Sequence, residues 1–347
     1  MIKSTYYQDL TKMNTFRMKV KAKCFIEYDS IADLVDIEFD ELSRPILHIG
    51  GGSNLLFTED FKGTVLHSKI NFIEILDECP GPEVLVSVGS GVVFDDFCDW
   101  AAKEGLWGVE NLSYIPGEVG ASAVQNIGAY GVEVKDVIHR VYCYDTLEEE
   151  FVSFGVDECE YGYRDSIFKD PEIKGRYIVT HVVFELSREP RPCLEYGHLK
   201  SAVEAVAASD TLTPALIRKV IIKIRKEKLP EPSVMGSAGS FFKNPVISFE
   251  HFQRIESAAK AEHGADYKVP HYDLPDGVKV PAAWMIEQCG WKGRRSGGAA
   301  VYEKQPLVIV NYTGEAYPEE IIGLERRIIA SVNDKFGVEL HPEVDHI

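Results

Sequence analysis

The stretch Ile46-Leu-His-Ile-Gly50-Gly51-Gly52-Ser53-Asn54-Leu55-Leu-Phe57 joins a short apolar run to three successive glycines and two small polar residues. The apolar run predicts a β-strand and the glycines predict a tight turn. Successive backbone N–H groups in such a turn can also form a concave site for an anion. The residues leave both interpretations open, a simple turn or an anion-binding loop.

A second glycine-rich stretch runs from Ile115 to Gly131 and contains the amides Gln125 and Asn126. Small residues dominate it, and Pro116 restrains its start. This composition suits a surface on which a flat ligand lies against the backbone while amides bind its polar edge. A helix–strand junction built from small residues is the alternative. Both glycine-rich stretches lie between Ala32 and Leu186, a region whose pattern mostly predicts short strands.

A third stretch, Met235-Gly-Ser-Ala-Gly-Ser240-Phe-Phe-Lys-Asn-Pro245, places two serines beside glycines and two aromatic residues. Gly236 and Gly239 permit turns or a close approach to a ligand, and a serine hydroxyl can both donate and accept a hydrogen bond. Phe241 and Phe242 suggest that one side of the stretch is anchored in a hydrophobic core. A Gly/Ser loop between two elements is the alternative.

Composition restricts the class of protein. A chain of 347 residues, 45% apolar and 27% charged, predicts about two or three globular domains. A net charge of −18 disfavours nucleic acid and anionic membranes as partners. No apolar run approaches the roughly 18 residues of a membrane span, and the first residues lack the apolar core of a signal peptide.

Cysteine and histidine usage favours a reducing compartment without a protein-bound metal. The cysteines are odd in number, scattered and never in a C-x-x-C pair, which argues against a disulfide framework or a zinc site; they are Cys24, Cys79, Cys98, Cys143, Cys159, Cys193 and Cys289. The histidines show no metal-ligand spacing. The predicted location is the cytoplasm.

Common nucleotide and hydrolase motifs are absent from the sequence. Gly89-Ser-Gly91 imitates the start of a dinucleotide-binding fingerprint, but Phe94 stands where its third glycine belongs, which predicts a turn before a helix. No Walker A motif and no G-x-S-x-G nucleophile elbow occurs.

Periodicity and capping residues predict several elements. Tyr177 to Leu186 predicts a strand with Ile178, Val182, Phe184 and Leu186 on one face. Thr213 and Pro214 predict the start of a helix, whose polar face, mostly solvated, carries Arg218, Lys219, Lys223, Arg225 and Lys226. Further helices are predicted from Ser248 to Gly264, from Pro281 to Cys289, and from Pro318 to Phe336 with Gly337 as C-cap.

In their order along the chain, these motifs resemble those of the UDP-N-acetylenolpyruvoylglucosamine reductase (MurB) family of peptidoglycan synthesis. Each matching stretch is short, but the ordered set is specific; the stretches are Asn14–Phe16, Gly50–Leu56, Ile115–Glu133, Tyr163–Lys169, Lys228–Pro230, Gly236–Pro245, Gly297–Ala300 and Pro342–Val344. The resemblance implies an α+β protein with an FAD-binding fold of the vanillyl-alcohol-oxidase (PCMH) type in two subdomains and a C-terminal α/β substrate-binding domain. The expected ranges are 1–68, to which 338–347 could return, 69–228 and 229–337.

The resemblance also implies an activity. Members of the family are flavoprotein oxidoreductases that use NADPH and FAD to reduce the enolpyruvyl ether of UDP-N-acetylglucosamine to UDP-N-acetylmuramate, a precursor for the cell wall and thus for cell shape and division. Small molecules are then the only expected partners, and a monomer is the expected state. The sequence does not decide between NADPH and NADH.

Site residues transfer from the family position by position. Ser240 matches the proton donor, and Arg164 and Glu343 match the residues that hold and polarise the enolpyruvyl carboxylate. The implied FAD contacts are Gly50, Gly51, Gly52, Ser53, Asn54, Leu55, Pro116, Gly117, Gly120, Ala121, Ser122, Gln125, Asn126, Gly128, Ala129 and Tyr130. The implied substrate contacts are Tyr163, Lys228, Asn244, Gln288 and Tyr196, the last as the tyrosine of a substrate-covering loop in the longer branch of the family. Asp345-His346 replaces the arginine that often follows Pro-Glu-Val in the family.

These residue types suit the implied reaction. Hydride addition to the terminal enolpyruvyl carbon leaves negative charge on the α-carbon and its carboxylate, which a guanidinium such as that of Arg164 can bind through two hydrogen bonds. Glu343 helps only if it is protonated or hydrogen-bonded to an enol-like oxygen. A positioned hydroxyl, that of Ser240, can protonate the α-carbon, and Ser237 is expected to be structural.

Two alternatives remain from the residues. One is an FAD-dependent oxidase or dehydrogenase of the same fold with another substrate, although an alcohol oxidase needs a base more than the proton donor that the serine stretch offers. The other is a non-catalytic protein that binds a nucleotide sugar or anion through its glycine loops. A flavin absorption spectrum separates this second alternative from the enzymes.

Overall fold

The structure, a computed structural model, describes residues 1–76, 81–207 and 212–347. The chain forms two compact units, each assembled from segments that are distant in sequence. The first unit comprises Met1–Asp9, Lys21–Gly52 and Asp60–Glu227, and the second comprises Leu10–Val20, Ser53–Glu59 and Lys228–Ile347. The six cysteines within the described ranges carry free thiols; Cys79 lies outside those ranges.

Twenty strands are present in the described residues. Those up to residue 187 are β1 (Lys3–Asp9), β2 (Lys21–Tyr28), β3 (Ile46–Ile49), β4 (Leu55–Leu56), β5 (Phe61–Ser68), β6 (Ile73–Ile75), β7 (Glu83–Gly89), β8 (Gly128–Ala129), β9 (Val132–Glu133), β10 (Ile138–Asp145), β11 (Glu150–Gly155) and β12 (Tyr177–Ser187). The later strands are β13 (Gly236–Ser237), β14 (Val246–Ile247), β15 (Tyr272–Leu274), β16 (Gly277–Lys279), β17 (Arg295–Ser296), β18 (Ala299–Val301), β19 (Ile309–Asn311) and β20 (Asp345–His346).

Eight α-helices accompany these strands in the described part of the chain. They are α1 (Ile31–Val35), α2 (Phe94–Lys103), α3 (Val119–Gln125), α4 (Leu199–Ala207), α5 (Pro214–Lys228), α6 (Phe249–His263), α7 (Ala282–Gln288) and α8 (Pro318–Phe336). None of the described helices is both long enough and apolar enough to cross a membrane.

The described residues of the first unit form two larger sheets and the two-stranded sheet β8-β9. The four-stranded sheet has the order β1-β2-β5-β3, in which β2, β5 and β3 are parallel. The five-stranded sheet has the order β11-β10-β12-β7-β6 and is antiparallel throughout. Helices α2 and α3 contribute Phe94, Phe97, Val119 and Ala123 to the core on one face of this second sheet, so the segment that carries α3 is held by buried apolar contacts.

The predicted strand at Tyr177–Leu186 is confirmed, but the prediction that Ile178 shares a face with Val182 and Phe184 is wrong. A register shift against β10 lies between the pairs Tyr142–His181 and Cys143–Val179, so Thr180 is an extra residue in β12. Ile178 consequently packs in the core beside the four-stranded sheet, whereas Val182, Phe184 and Leu186 pack against α2. A bulge of this kind reverses the alternation of faces, which periodicity alone does not reveal.

Capping residues begin and end several helices where the sequence predicts. Thr213 Oγ1 accepts a 3.2 Å hydrogen bond from the Leu216 amide at the start of α5, and Ser248 Oγ accepts one of 3.2 Å from the His251 amide at the start of α6. Gly337, at φ 65°, ends α8 in the left-handed region. The helix predicted from Pro281 is α7. The turn and helix predicted after Gly89 are also confirmed, as α2.

The solvated face predicted for α5 holds for the exposed Lys219, Lys223 and Lys226 and is wrong for Arg218 and Arg225. The Arg218 side chain is 11% exposed, and its guanidinium is bonded to Asp95 and Asp99 on α2. Arg225 Nε donates a 3.1 Å hydrogen bond to the Tyr114 carbonyl oxygen, and burial lowers the pKa of its guanidinium. Both arginines hold α5 onto the rest of the first unit. Their partners are distant in sequence, so the helix pattern does not predict them.

The second unit is built around the sheet β13-β19-β18-β17, which is antiparallel. Helix α8 packs on β18 and β19 and also on α7, with Ile321, Leu324, Ile328 and Val332 buried along one side. A smaller sheet has the order β14-β16-β15. Strand β20 pairs with β4 in parallel, Asp345 opposite Leu55 and His346 opposite Leu56. The unit therefore closes by joining residues near position 55 to residues near position 345.

Candidate functional site

In the first unit, the glycine loop after β3 lies directly against the segment that begins α3. A Cβ built on Gly50 would lie 2.9 Å from the Ala121 Cβ, and one on Gly51 would lie 3.3 Å from the Gly117 Cα. Any side chain at Gly50 or Gly51 would therefore push the two segments apart. Gly52 has φ 61°, in the left-handed region. The structure thus brings together the two glycine-rich surfaces that the sequence predicts.

The remaining residues of the second glycine-rich stretch form a helix and a short hairpin. Pro116 and Gly117 precede α3, which contains Gly120, Ala121, Ser122 and Gln125. Ser122 Oγ donates to the Val119 carbonyl oxygen within the helix at 2.7 Å. Gly128 and Ala129 form β8, which pairs with β9. The structure therefore contains the helix–strand junction that is one of the two interpretations of this stretch. The contacts of Gly117 and Ala121 with the Gly50 loop also leave room for the other interpretation, a ligand-binding surface.

The two amides of this stretch have different surroundings. Asn126 is fully buried at φ 46° and ends α3, and its Nδ2 donates to the Gly162 carbonyl oxygen at 2.8 Å. Gln125 Oε1 accepts a 2.8 Å hydrogen bond from Lys169 Nζ. Its Nε2 is buried and has no hydrogen-bond partner among the described residues. A buried donor of this kind is costly unless something accepts from it, so Gln125 fits a polar ligand better than Asn126 does.

Arg164 is fixed to the same stretch. Its Nη2 donates to the Gly128 carbonyl oxygen at 2.7 Å, its Nη1 donates to the Asn126 carbonyl oxygen at 3.2 Å, and Glu133 lies 3.8 Å from Nη1. The Arg164 backbone has φ 57°, a conformation that non-glycine residues seldom adopt and that is common at functional sites. The Arg164 side chain is 16% exposed. The structure therefore places the predicted carboxylate-binding residue beside the predicted flavin-binding residues.

Three tyrosines surround this part of the first unit. Tyr130, at φ 50°, makes an edge contact with the Tyr196 ring at 6.1 Å between centroids. Burial raises the pKa of the Tyr130 hydroxyl, while the nearby Arg225 opposes that change. The guanidinium of Arg164 lies over the Tyr163 ring, 5.2 Å from its centroid. Tyr163 and Tyr196 are both exposed, so each presents ring surface that a ligand could cover.

In the second unit, the serine stretch is anchored by its backbone and its aromatic residues. Gly236 and Ser237 form β13, and the Ser237 amide donates to the Thr15 carbonyl oxygen at 3.0 Å. Phe241 and Phe242 are buried, which confirms the core contact predicted for them, and Phe241 makes an edge contact with Phe16 at 6.1 Å. Ser237 is also buried, whereas Ser240 is exposed. Of the two serines, only Ser240 presents its hydroxyl to solvent.

The structure brings Ser240 and Glu343 onto neighbouring segments of the second unit. The Glu343 amide donates to the carbonyl oxygen of Phe241, the residue after Ser240, at 2.8 Å, and Phe242 forms an antiparallel bridge with Pro342. The predicted FAD contact Asn54 is also close, because its Nδ2 donates to the Glu343 carbonyl oxygen at 3.0 Å. Ser53 precedes it, and Leu55 lies in β4. The proposed acid and the proposed carboxylate-polarising residue thus share one backbone framework.

The remaining predicted substrate residues are less concentrated. Asn244 Oδ1 accepts a 2.9 Å hydrogen bond from the Ala282 amide and so begins α7, and Lys228 is exposed at the end of α5. Gln288 Oε1 lies 3.0 Å from His263 Nε2. Gln288 lines a cavity of about 440 Å³ with Trp284 and Phe336, and neither Ser240 nor Glu343 belongs to that lining.

Asp345 and His346, which stand where many family members have an arginine, make contacts within the second unit. His346 Nε2 lies 2.9 Å from Glu325 Oε2 on α8, and its ring makes an edge contact with Phe241 at 6.1 Å. Asp345 and His346 also pair with β4. Asp345-His346 therefore helps to hold the segment that carries Glu343.

Sequence reasoning overlooked two polar residues of this region. Lys169 lies within a stretch that matches the family, and its bond to Gln125 could have been suspected from that match. Asn111 gives no such indication: its Nδ2 donates to the carbonyl oxygens of Tyr130 and Cys193 at 2.9 and 2.7 Å, and its Oδ1 is buried without a partner among the described residues. Only the folded chain brings Tyr130 and Cys193 to Asn111.

Comparisons with known proteins identify the two domains that carry these segments. Residues 231–347 match the family model described as UDP-N-acetylenolpyruvoylglucosamine reductase, C-terminal domain, and residues 22–150 match an FAD binding domain. UDP-N-acetylenolpyruvoylglucosamine reductase of Bacteroides fragilis is 50% identical over 341 residues, 97% of this chain and 98% of that protein. The Porphyromonas gingivalis enzyme of the same name is 44% identical over 343 residues, 97% of each chain.

A solved structure supports the fold. The crystal structure of UDP-N-acetylenolpyruvylglucosamine reductase from Thermus caldophilus superposes with a TM-score of 0.67 at 21% identity and covers 100% of this chain and 98% of that chain. With the two matching domain models, this likeness confirms the predicted α+β class, an FAD-binding fold followed by a C-terminal substrate domain.

Proposed function

This chain belongs to the UDP-N-acetylenolpyruvoylglucosamine reductase family, and we propose that it reduces the enolpyruvyl ether of UDP-N-acetylglucosamine to UDP-N-acetylmuramate, with NADPH as reductant and FAD as cofactor. The 50% identity to the Bacteroides fragilis enzyme over nearly the full length of both chains carries this proposal. The product class makes the protein part of peptidoglycan precursor synthesis. An oxidase of the same fold is not favoured, because the relatives share the reductase name.

The residues present fit FAD. Gly50 and Gly51 leave no room for a Cβ against Ala121 and Gly117, and three successive glycines form the type of loop whose backbone N–H groups can bind an anionic diphosphate. The buried Nε2 of Gln125 is a donor that a polar edge of the cofactor would satisfy. We assign FAD binding to the residues predicted in Gly50–Leu55 and Pro116–Tyr130. When bound, FAD supplies to the terminal enolpyruvyl carbon the hydride that NADPH provides.

The proposed role of Arg164 is to bind the substrate carboxylate. Its guanidinium is planar and can hold both oxygens of a carboxylate, and the bond strengthens as negative charge accumulates there. The hydrogen bonds to Asn126 and Gly128 fix the direction of the guanidinium before substrate arrives. Such preorganisation avoids reorganisation during the reaction. We assign substrate contacts as well to Tyr163, Tyr196, Lys228, Asn244 and Gln288.

The proposed role of Ser240 is to give a proton to the α-carbon. Its exposed hydroxyl follows Gly239, which has φ 70°, and its position is fixed by the buried Phe241 and Phe242. Glu343, carried by the neighbouring segment, acts on the enol-like oxygen as a hydrogen-bonding partner. General-acid assistance of this kind is worth about 10²- to 10⁴-fold in rate.

Further proposals concern organisation and setting. We propose three domains at residues 1–68, 69–228 and 229–337, with residues 338–347 returning to the first of these ranges. We propose a monomer located in the cytoplasm, a reducing compartment that fits the scattered free cysteines of the described ranges. The net charge of −18 disfavours nucleic acid and anionic membranes as partners.

An anaerobic two-step experiment tests the function. Purified protein should show an oxidised-flavin spectrum, NADPH should bleach it, and UDP-N-acetylglucosamine enolpyruvate should then restore it with formation of UDP-N-acetylmuramate. UDP-N-acetylglucosamine, which lacks the enolpyruvyl group, is the matched control and should leave the flavin bleached. Bleaching without restoration by the enolpyruvyl compound would favour another FAD enzyme. Absence of flavin, with no uptake of added FAD, would overturn the whole proposal.

A further inference from the structure

A buried histidine in the first unit lies between two carboxylates. His67, on β5, has a side chain that is only 4% exposed. Its Nδ1 is 3.3 Å from Glu27 Oε1, and its Nε2 is 3.0 Å from Glu118 Oε1 and 3.3 Å from Glu118 Oε2. Ionised carboxylates only accept hydrogen bonds, so both ring nitrogens must donate to complete this arrangement. Both contacts are completed when the ring is an imidazolium and the two carboxylates are ionised.

Strand register fixes the position of this histidine. His67 lies opposite Glu27 of β2 on one side and opposite Ile49 of β3 on the other. Ile49 is the last residue before Gly50. The histidine therefore lies at the point where the parallel sheet ends and the glycine loop begins.

Glu118 brings a negative charge against that loop. It precedes α3, its side chain is 9% exposed, and its Oε2 would lie 3.4 Å from a Cβ built on Gly50. Among the described residues, His67 is the only cationic side chain that pairs with Glu118. A buried carboxylate without this partner would repel an anion bound at the glycine loop, because the interior screens charge weakly.

The other titratable neighbour does not replace His67 as the cation. His48 lies on β3, and its Nε2 is hydrogen-bonded to the Tyr28 hydroxyl at 2.7 Å. Burial, together with the charge of His67, lowers the pKa of His48 to about 4. The Phe25 ring lies 6.2 Å from the His67 ring and is apolar. Glu27, His67 and Glu118 do not form a metal site either, because the described part of the chain contains no group of three or more His, Cys, Asp or Glu side chains that could hold a metal ion.

We propose that His67 is a positioning residue for FAD: held between Glu27 and Glu118, it offsets part of their negative charge and fixes the Glu118 carboxylate beside Gly50, so that the glycine loop accepts the cofactor's diphosphate. This inference rests on the proposed function, in which Gly50–Gly52 bind FAD. It adds the requirement that the negative charge of Glu118 be compensated before the glycine loop binds the FAD diphosphate. The removal of His67 then affects FAD affinity through Glu118, and the removal of the Glu118 charge should cancel that effect.

FAD titration of the apoprotein tests this coupling. We expect His67→Gln to weaken FAD binding about 10-fold or more, equivalent to at least about 1.4 kcal/mol. His67→Gln combined with Glu118→Gln should return the Kd to within about 3-fold of wild type, since an amide carries no charge. His139→Gln is the matched control, because His139 forms an exposed pair with Glu185 at 3.7 Å in the same unit, and its FAD affinity should equal that of wild type.

The outcomes separate the two proposals. Failure of the wild-type apoprotein to take up FAD would overturn the proposed function. Wild-type FAD uptake with an unchanged Kd in His67→Gln would overturn only the role of His67. Equally weak binding in the single and double variants would show a purely structural role and would also overturn the inference.

A spectroscopic test does not depend on a variant that folds. NMR of ring-nitrogen-labelled wild-type protein near neutral pH should show protons on both nitrogens of His67. A neutral ring, with one nitrogen unprotonated, would contradict the proposed charge compensation.

Discussion

Arg164 Nη2 donates a 2.7 Å hydrogen bond to the Gly128 carbonyl oxygen, and a Cβ on Gly128 would lie only 2.9 Å from Nη1 of the same arginine. The absence of a side chain at Gly128 is therefore what admits the guanidinium. The proposed carboxylate-binding group and a predicted cofactor-binding residue form one rigid arrangement, so changes at Arg164 should affect substrate turnover through geometry as well as charge.

Arg164→Lys should slow restoration of the flavin spectrum by the enolpyruvyl substrate by about 10- to 100-fold, because lysine lacks the planar fork that holds both carboxylate oxygens. Bleaching by NADPH should change little. Anaerobic stopped-flow absorbance measures the two steps separately. Arg140→Lys is the control, since Arg140 Nη1 bonds to Ser153 on the neighbouring strand, and it should behave as wild type. An unchanged second step in Arg164→Lys would remove the carboxylate role.

Ser240→Ala should retain bleaching by NADPH and should lose about 10²- to 10⁴-fold in the rate of restoration by substrate, the usual value of a general acid. The same stopped-flow experiment measures it. Ser237→Ala removes a hydroxyl from the buried strand three residues earlier and should retain both steps. A Ser240→Ala enzyme that restores its flavin at the wild-type rate would assign proton donation to another group.

Gly236→Ala and Gly239→Ala should differ in their effects on stability. A Cβ on Gly236 would lie 2.8 Å from the Phe16 carbonyl carbon, a backbone atom that has no room to move, whereas a Cβ on Gly239 meets nothing within 4 Å. Gly239→Ala should therefore cost only about 1 kcal/mol for its φ of 70°, and Gly236→Ala should cost at least about twice that. Urea unfolding of both variants measures the difference, and equal costs would contradict the close packing of β13 on Thr15-Phe16.

His48→Gln should make the protein less sensitive to acid. Burial, together with the charge of His67, lowers the folded pKa of His48 from 6.5 to about 4. Above pH 6.5 His48 is neutral in both states and contributes no pH dependence. As the pH falls from 6.5 to about 4, the unfolded chain binds a proton that the folded chain does not, so about 2–3 kcal/mol of stability is lost.

The measurement is the urea midpoint across that range of pH. Glutamine can still accept from the Tyr28 hydroxyl but does not titrate, so the decline should be shallower in His48→Gln than in wild type. Parallel curves for wild type and His48→Gln would contradict a buried neutral His48.

Local sequence predicts the local elements of this protein well. Thr213 with Pro214, Ser248, and Gly337 each mark a helix end, because capping is decided by neighbours within four residues. The glycine- and serine-rich stretches also indicate turns beside helices and strands, such as the loop after β3 and the residues that follow β13. What these stretches touch is a separate matter, decided by residues far along the chain.

Long-range pairing explains what the sequence does not predict. Arg218 resembles the other cations of its helix face until Asp95 and Asp99 approach it, and Glu118 resembles any surface glutamate until His67 lies 3.0 Å away. The bulge at Thr180 depends on the partner strand β10. The contact between Ser240's segment and Glu343 likewise joins residues about a hundred positions apart. Family resemblance groups Ser240, Arg164 and Glu343 in one site, but it does not give the contacts that hold their segments.

The hydrogen bond from Asn54 to Glu343 spans 289 positions, and this distance constrains how the protein is made on the ribosome. The first unit has all of its segments once residue 227 has been synthesised, but Leu10–Val20 and Ser53–Glu59 belong to the second unit. These two segments lack their native partners in the second unit until more than a hundred further residues have been translated. We expect the nascent chain to contain an ordered first unit while Leu10–Val20 and Ser53–Glu59 still lack their partners. The hydrogen bonds of Glu343 to Phe241 and Asn54 can form only after residues 341–347 leave the ribosome.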